Sequence, residues 1–217
     1  MKKTTALFLV LLSSLVLSAS SFLVGGSASV TVNSVIAGEN YRNYRYTSRD
    51  GVKLSVPVIW EFGKYTALES GLDYTTKNHH LARSYYDRVV DLDITNGFVS
   101  LPLALRLSLP LDDVFSLSLS LGGYAGFWCF KQSTGIVVGM SKEEQSVSEK
   151  EDLSLRNRFE YGVFLSLGFS FDFRGCVFSL FSGYSLDLSD MNLPQKNGYP
   201  IHNSTFLLGA GLTWRVK

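Results

Sequence analysis

Apolar and polar residues alternate along most of this chain with a period of two. The clearest case begins at Leu153, where odd positions up to Phe173 are almost all apolar or aromatic and even positions are mostly small, polar or charged. Successive side chains of a β-strand point to opposite faces, so this run predicts one long strand. Arg174-Gly175 then predicts a tight turn, and a second alternating run follows up to Leu188. The two runs together predict a hairpin with one apolar face and one polar face.

The length of these strands and the composition of their polar faces indicate the environment. Strands of ordinary sheets have about 5–6 residues, and these runs are longer. Their polar faces carry too much glycine, serine and charge for a protein core. An apolar outer face and a polar inner face are typical of a transmembrane β-barrel. The alternative is a soluble sandwich or a lipocalin-like barrel with the apolar face turned inward.

Six further runs alternate in the same way and complete a set of eight predicted strands. They span residues 22–32, 52–62, 65–76, 94–109, 114–130 and 202–216. The connections alternate between long and short, as the extracellular loops and periplasmic turns of outer-membrane barrels do. The predicted fold is therefore all-β: an eight-stranded antiparallel up-and-down transmembrane β-barrel with both ends of the barrel domain on the periplasmic side.

The N-terminal residues predict export. Lys2 and Lys3 precede an apolar stretch at 6–17, and Ser18-Ala19-Ser20 offers small residues for cleavage. This order is typical of a cleavable signal helix. We therefore expect a signal peptide at 1–21, a barrel domain at 22–217 and a location in the cell outer membrane.

Two cysteines, Cys129 and Cys176, are expected to stay unpaired. The predicted topology places Cys129 at the end of an ascending strand and Cys176 at the start of one, so the two lie near opposite rims. A disulfide needs Cα atoms within about 7 Å, which this arrangement does not allow.

Charge and motifs exclude several classes of function. The formal net charge is +1, which implies no general attraction to nucleic acid. The sequence has no glycine-rich phosphate loop, no Cys/His metal spacing and no G-x-S-x-G motif. We therefore expect no cofactor, no metal and no catalytic residues, and the chain is predicted not to be an enzyme. One alternative is a lipid A-modifying enzyme, because His202 and Ser204 share a lipid-facing strand face, as in the outer-membrane lipid A deacylases that they resemble.

Five charged side chains are predicted to face the lumen and to form a structural network, because a buried unpaired charge is costly. They are Glu69, Arg106, Glu160, Asp172 and Arg215. Glu69 and Arg106 lie on adjacent predicted strands at similar heights, which predicts an ion pair. Side chains fill the interior of an eight-stranded barrel, so no wide channel is expected. A narrow pore, or an accessory component of transport or secretion, is an alternative.

Two predicted extracellular loops, 33–50 and 77–91, alternate aromatic and basic residues. The candidates for surface binding are Tyr41, Arg42, Tyr44, Arg45, Arg83, Tyr85 and Arg88. Arginine binds phosphate well, and these loops would lie beside the phosphates of lipopolysaccharide. The alternative is an interfacial belt that anchors the barrel. We predict a structural or surface-interaction role, with outer-membrane lipid and the barrel-assembly machinery as partners and no protein partner indicated.

Several segments together resemble the PorT-like outer-membrane β-barrel family. They are residues 68–74 (LESGLDY), 98–107 (FVSLPLALRL), 122–126 (GGYAG), 183–188 (GYSLDL) and 203–216. The resemblance implies an eight-stranded barrel in the outer membrane of a didermal bacterium, with no defined activity for most members. The family's namesake is associated with a protein secretion system, but no residue of this chain supports assigning that role to it. The chain departs from the usual terminal aromatic residue, because Trp214 is followed by Arg215-Val216-Lys217.

Overall fold

The computed structural model describes residues 21–37, 44–84, 88–139, 144–150, 158–190 and 201–216. Among these residues, no helix is long and apolar enough to cross a membrane. The predicted signal peptide lies outside the described residues except for Ser21. The described residues form nine strands: β1 Ser21–Ala37, β2 Tyr44–Glu61, β3 Thr66–Ser84, β4 Arg88–Pro110, β5 Phe115–Gly139, β6 Glu144–Lys150, β7 Phe159–Phe173, β8 Cys176–Asp187 and β9 Ile201–Val216.

Eight of the nine strands form a closed antiparallel ring. The order around it is β1, β2, β3, β4, β5, β7, β8 and β9, and β9 pairs again with β1. Closure gives the strands of the ring partners on both sides, which removes the exposed edges that a membrane would not tolerate. The predicted all-β barrel is confirmed. The described connections at 62–65, 111–114 and 174–175 lie at one end of the ring, together with Ser21 and Val216, and we call this the periplasmic end.

The two faces of the ring have opposite chemistry. On β5, Leu121 points outward and is 62% exposed, whereas its neighbour Ser120 points inward and is 5% exposed. The same contrast holds around the ring, where outward leucine, valine and phenylalanine form a continuous apolar band. Serine, threonine and charged residues fill the inside. Because an apolar outside is costly in water and favourable in hydrocarbon, this surface fits a lipid bilayer.

Strands β1 to β5 extend beyond their predicted ends on the side of the ring opposite the short turns. Much of the two predicted loops at 33–50 and 77–91 is strand, because β3 runs to Ser84 and β4 begins at Arg88. The segment that follows the predicted strand 114–130 is also largely strand, because β5 runs to Gly139 and pairs with β6. The pairing of β5 with β7 ends at Phe127 and Phe159. Above this level the remaining strands therefore form an open sheet, which we call the wall. The wall consists of residues 44–49, 78–84, 88–96 and 131–139, together with β6. Both faces of the wall carry polar residues, so a period of two in hydrophobicity did not reveal these strands.

A bulge in β5 decides where its aromatic residues point. Phe98 pairs with Trp128, but Gly97 pairs with Phe130, so Cys129 is an extra residue and lies exposed on the outside. Trp128 points into the lumen, is 4% exposed and stacks on Phe98 with ring centroids 5.7 Å apart. Trp128 therefore lies inside the barrel and does not contribute to an aromatic girdle on the lipid-facing surface. Cys129 and Cys176 are both free, as predicted.

A second bulge lies in β2, between Ser48 and Lys53. Side chains of β3 satisfy the loosened backbone: Asn78 Nδ2 donates to the Asp50 carbonyl at 2.7 Å, and the Val52 amide donates to Thr76 Oγ1 at 2.9 Å. Gly51 lies in the bulge, where an added Cβ would come within 2.2 Å of the Thr76 carbonyl oxygen. The bulge therefore requires glycine at this position, because the neighbouring atom belongs to the backbone and cannot move freely.

Candidate functional site

The lumen holds a first charged cluster at the periplasmic end. Arg215 on β9 donates from Nη1 to Asp172 Oδ2 at 2.6 Å and from Nε to Glu61 Oε2 at 3.2 Å. Asp172 Oδ1 also accepts the amide of Gly175 at 2.9 Å, so it fixes the turn between β7 and β8. The Ser21 hydroxyl donates to Glu61. This cluster joins the first and last strands of the ring to β2 and β7.

A second cluster lies in the middle of the lumen. Arg106 Nη1 is 3.8 Å from Glu69 Oε2, and the same oxygen accepts the Ser120 hydroxyl at 2.9 Å. Arg106 Nη2 donates to Ser170 Oγ at 3.3 Å. A separate pair joins Lys53 and Asp73, with Nζ 2.7 Å from Oδ2. Each of these two ion pairs joins adjacent strands and so follows the inner surface of the barrel.

The third cluster crosses the lumen near its extracellular end. Lys77 Nζ donates to Glu160 Oε2 at 2.8 Å and to Asp187 Oδ2 at 2.7 Å. All three residues are almost completely buried, at 4%, 4% and 2% exposed. The Tyr124 hydroxyl donates to Asp187 as well. The ammonium of Lys77 also lies 4.8 Å from the centroid of the Phe98 ring, within the range of a cation–π interaction.

The five lumen charges predicted from the sequence therefore do not form one network. The structure brings Glu69 to Arg106 and Asp172 to Arg215, but it places Glu160 with Lys77 and Asp187 instead. Lys77 escaped prediction because residue 77 was assigned to a loop. The alternation puts Asp187 on the polar face of its strand, but no local pattern indicates its partner. Glu61 is a further member that the sequence analysis missed, although its odd position on β2 placed it opposite the apolar face.

The lumen below Lys77 contains two adjoining cavities. A cavity of about 130 Å³ lies between the third and second clusters, and its mixed polar and apolar lining includes Lys77, Tyr124, Glu160 and Arg106. A second cavity of about 180 Å³ continues towards Arg215. The two cavities adjoin, because four residues line both of them: Ile59, Arg106, Ser179 and Thr213. Since one water needs roughly 10–15 Å³, each cavity has room for several waters.

The wall separates the residues that the sequence proposed for surface binding. Tyr41, Arg42 and Tyr85 lie outside the described residues. The register pairs Tyr44 with Arg83 and Arg45 with Ala82, so consecutive residues of β2 alternate between the two faces of the wall. Arg45 is exposed on the outer face, above the apolar band, whereas Arg83 and Arg88 share the face that looks over the lumen. The four described candidates, Tyr44, Arg45, Arg83 and Arg88, lie on strands rather than on loops.

Ion pairs occupy the outer face of the wall close to the apolar band. Asp93 binds the Arg49 guanidinium, and its Oδ1 lies 2.9 Å from His80 Nδ1. These hydrogen bonds, first from His80 and then from Arg49, hold the pKa of the Asp93 carboxyl below its usual range. His80 Nε2 is also 3.4 Å from Asp91. The outward face thus changes from apolar to charged where β3 and β4 leave the ring, as expected at the level of lipid headgroups.

His202, part of the alternative enzymatic pair, contacts the backbone. His202 Nδ1 lies 3.1 Å from the carbonyl oxygen of Ser189, and Ser204 is 7% exposed on the same strand face as Phe206. His79 and His80 point to opposite faces of β3. Within the described part of the chain, no group of three metal-binding side chains comes together.

Comparison with known proteins identifies the fold. No family model and no curated protein matches the chain. Among solved structures, the outer membrane protein OprG from Pseudomonas aeruginosa is 15% identical, with 91% of this chain and 97% of that chain covered and a TM-score of 0.51. The outer membrane protease OmpT from Escherichia coli is 11% identical, with 92% and 98% covered and a TM-score of 0.52. At these identities the similarity shows the fold alone, and it does not confirm the PorT-like family.

One prediction needs correction in view of OmpT. The sequence analysis predicted that the chain is not an enzyme, but a protease shares this fold with a TM-score of 0.52. A barrel of this kind therefore does not exclude catalysis, and the prediction was wrong to conclude it from missing motifs. The closed ring, its apolar outer band and the outer-membrane neighbours agree on location: the chain is an integral β-barrel of the cell outer membrane.

Proposed function

We propose that this barrel has a surface-interaction role and that its wall contacts the phosphate groups of the surrounding lipopolysaccharide. The length of the strands supports this. A transmembrane strand needs about 9–11 residues, whereas β4 has 23 and β5 has 25. More than half of each strand is therefore available outside the hydrocarbon. A barrel that only anchored itself would not need this additional sheet.

The observation that carries the proposal is the position of Arg45. Its side chain is exposed on the outer face of the wall, above the apolar band and on the same face as Arg49. Arg49 is already paired with Asp93, whereas the described structure gives Arg45 no such carboxylate. An exposed guanidinium at headgroup level matches the planar geometry and charge of a phosphate group.

The proposal is tested by measuring lipopolysaccharide retained on the detergent-solubilised, immobilised protein. We expect Arg45→Ala to retain at least threefold less than the wild type, and Arg45→Glu to retain still less. Arg88→Ala is the matched control on the opposite face of the wall, and Arg174→Ala is the control at the periplasmic end. Equal retention by Arg45→Glu and wild type would overturn the proposal, as would equal retention of dephosphorylated lipid A.

We further propose membership of the PorT-like family, on the basis of the order of the resembling segments. The segment at 98–107 lies on β4, where Pro102 coincides with an interruption of the ladder between Ser70–Leu103 and Asp73–Ser100. Ser70 Oγ donates to the Pro102 carbonyl at 2.8 Å and so replaces part of the missing pairing. A proline within an aliphatic strand thus has a structural role, which supports its use as a family feature.

A further inference from the structure

Lys77 reaches across the whole width of the barrel. It starts on β3, and its partner Asp187 ends β8, which lies four strands away in either direction around the ring. Glu160 on β7 is its other partner. The ion pairs in the middle of the lumen join adjacent strands, so they leave the centre open. The Lys77 cluster differs because its atoms occupy the centre itself.

Other side chains fill the remaining cross-section at this level. On one side, Phe98 and Trp128 stack on each other, and Tyr124 contacts Asp187. On the other side, Asn33 and Thr205 are each 2% exposed, and Thr205 Oγ1 donates to Asn33 Oδ1 at 2.9 Å. These groups line the perimeter, whereas the Lys77 side chain is the part that spans between them.

Below this level, the two adjoining cavities extend towards the periplasmic end. Lys77, Tyr124 and Glu160 line the upper cavity, so the cluster forms its extracellular limit. Lys77, together with the side chains around it, therefore separates these cavities from the region under the wall.

We propose that Lys77 is a plug and that the barrel is a narrow cation pathway held closed by this side chain. Shortening Lys77 removes the ammonium and the methylene chain from the centre of the lumen. It also removes the shared partner of the Glu160 and Asp187 carboxylates, which then face the path. Carboxylates that line a narrow pore favour cations over anions. The prediction concerns the lumen only and is independent of lipopolysaccharide binding by the wall.

The test measures current through the purified protein in planar bilayers under a potassium chloride gradient. We expect the wild type to remain almost closed and Lys77→Ala to pass at least ten times more mean current, with a reversal potential that shows cation selectivity. The matched control is Lys53→Ala, which also removes a lumen ion pair but one between adjacent strands. Lys53→Ala should stay closed like the wild type.

A second variant separates the plug from the selectivity and guards against misfolding. This is the triple variant that combines Lys77→Ala with Glu160→Gln and Asp187→Asn. It leaves no unpaired buried charge in the cluster, and it should conduct without preferring cations. A heat-dependent shift in gel mobility verifies that each variant is a closed barrel. The proposal is overturned if folded variants without Lys77 conduct no more than the wild type, if Lys53→Ala conducts as much as Lys77→Ala, or if the wild type already conducts steadily.

Discussion

Arg215 Nη1 lies 2.6 Å from Asp172 Oδ2, and this pair ties the last strand of the ring to the turn between β7 and β8. The backbone repeats the connection, since the Arg215 amide donates to the Gly175 carbonyl at 2.7 Å. Three elements distant in the sequence, β2, β7 and β9, thus meet at the periplasmic end through one guanidinium. Closure of the ring at its last strand depends partly on this contact.

Replacing Arg215 by methionine should therefore weaken the closed barrel. The change leaves Glu61 and Asp172 without their common partner, and charge-assisted hydrogen bonds are worth about 1.5–3 kcal/mol each. Both carboxylates remain partly accessible to lumen water, so we expect a total loss of roughly 1–2 kcal/mol. The measurement is the temperature at which the unboiled gel band converts to the unfolded position. Arg174→Met, an exposed arginine in the neighbouring turn, should leave that temperature unchanged; equal shifts for both would contradict the role given to Arg215.

The apolar band predicts a position-dependent cost for charge on the outer face. Leu121 lies in the middle of the part of β5 that pairs with β7 and is 62% exposed towards the lipid, whereas Leu111 is 54% exposed in a periplasmic turn. Arginine at the bilayer midplane costs about 2–4 kcal/mol, and about 0–1 kcal/mol near an interface. Leu121→Arg should therefore destabilise the barrel in vesicle-based urea unfolding, and Leu111→Arg should not. If the apolar face were turned towards a soluble core, this ranking would not hold, and the protein would not require lipid to fold.

The bulge in β2 predicts a strict requirement for glycine. In Gly51→Ala, the new methyl group would lie 2.2 Å from the Thr76 carbonyl oxygen, so β2 and β3 must separate locally. Overpacking of this kind costs about 1–3 kcal/mol. Gly26→Ala provides the control, because an added Cβ at Gly26 meets no atom within 4 Å. The fraction of refolded protein that shows the heat-dependent gel shift should fall for Gly51→Ala and stay constant for Gly26→Ala.

The sequence predicted the ring well and the lumen only in part, for a physical reason. Alternation alone predicts that Leu121 points outward and Ser120 inward, because the direction of a side chain in a strand depends only on its position along that strand. The pairing of Glu69 with Arg106 needed only the adjacency of two consecutive strands. The meeting of Lys77 with Asp187 depends on closure of the ring and on the stagger of strands across it, which no local pattern records. The wall was missed because both of its faces carry polar residues.

Burial of His79 predicts that the wall loses stability in mild acid. His79 is 8% exposed and its ring packs against Tyr46 at 5.7 Å. Burial, together with the charges of Lys131 and His80, lowers the pKa of His79 to about 4. An unfolded histidine titrates near pH 6.5, so the unfolded wall takes up a proton that the folded wall does not.

The stability due to neutral His79 is complete above about pH 6.5 and declines as the pH falls towards about 4, by roughly 2–3 kcal/mol in total. Amide hydrogen exchange of the wall at pH 7 and pH 5, corrected for the intrinsic rates, measures this loss. His79→Phe should remove most of the pH dependence while keeping the packing. If the variant declines as steeply as the wild type, another group is responsible.

The orientation of the barrel can be tested with two engineered cysteines in a background that lacks Cys129 and Cys176. Ser146 is exposed on β6 in the wall, and Asp113 is exposed in the turn between β4 and β5 at the opposite end. In outer-membrane barrels the short turns face the periplasm, so the wall should face the outside. A membrane-impermeant maleimide added to intact cells should label Ser146→Cys and leave Asp113→Cys unlabelled until the outer membrane is permeabilised. The reverse pattern would place the wall, with Arg45, in the periplasm and remove the basis for contact with lipopolysaccharide.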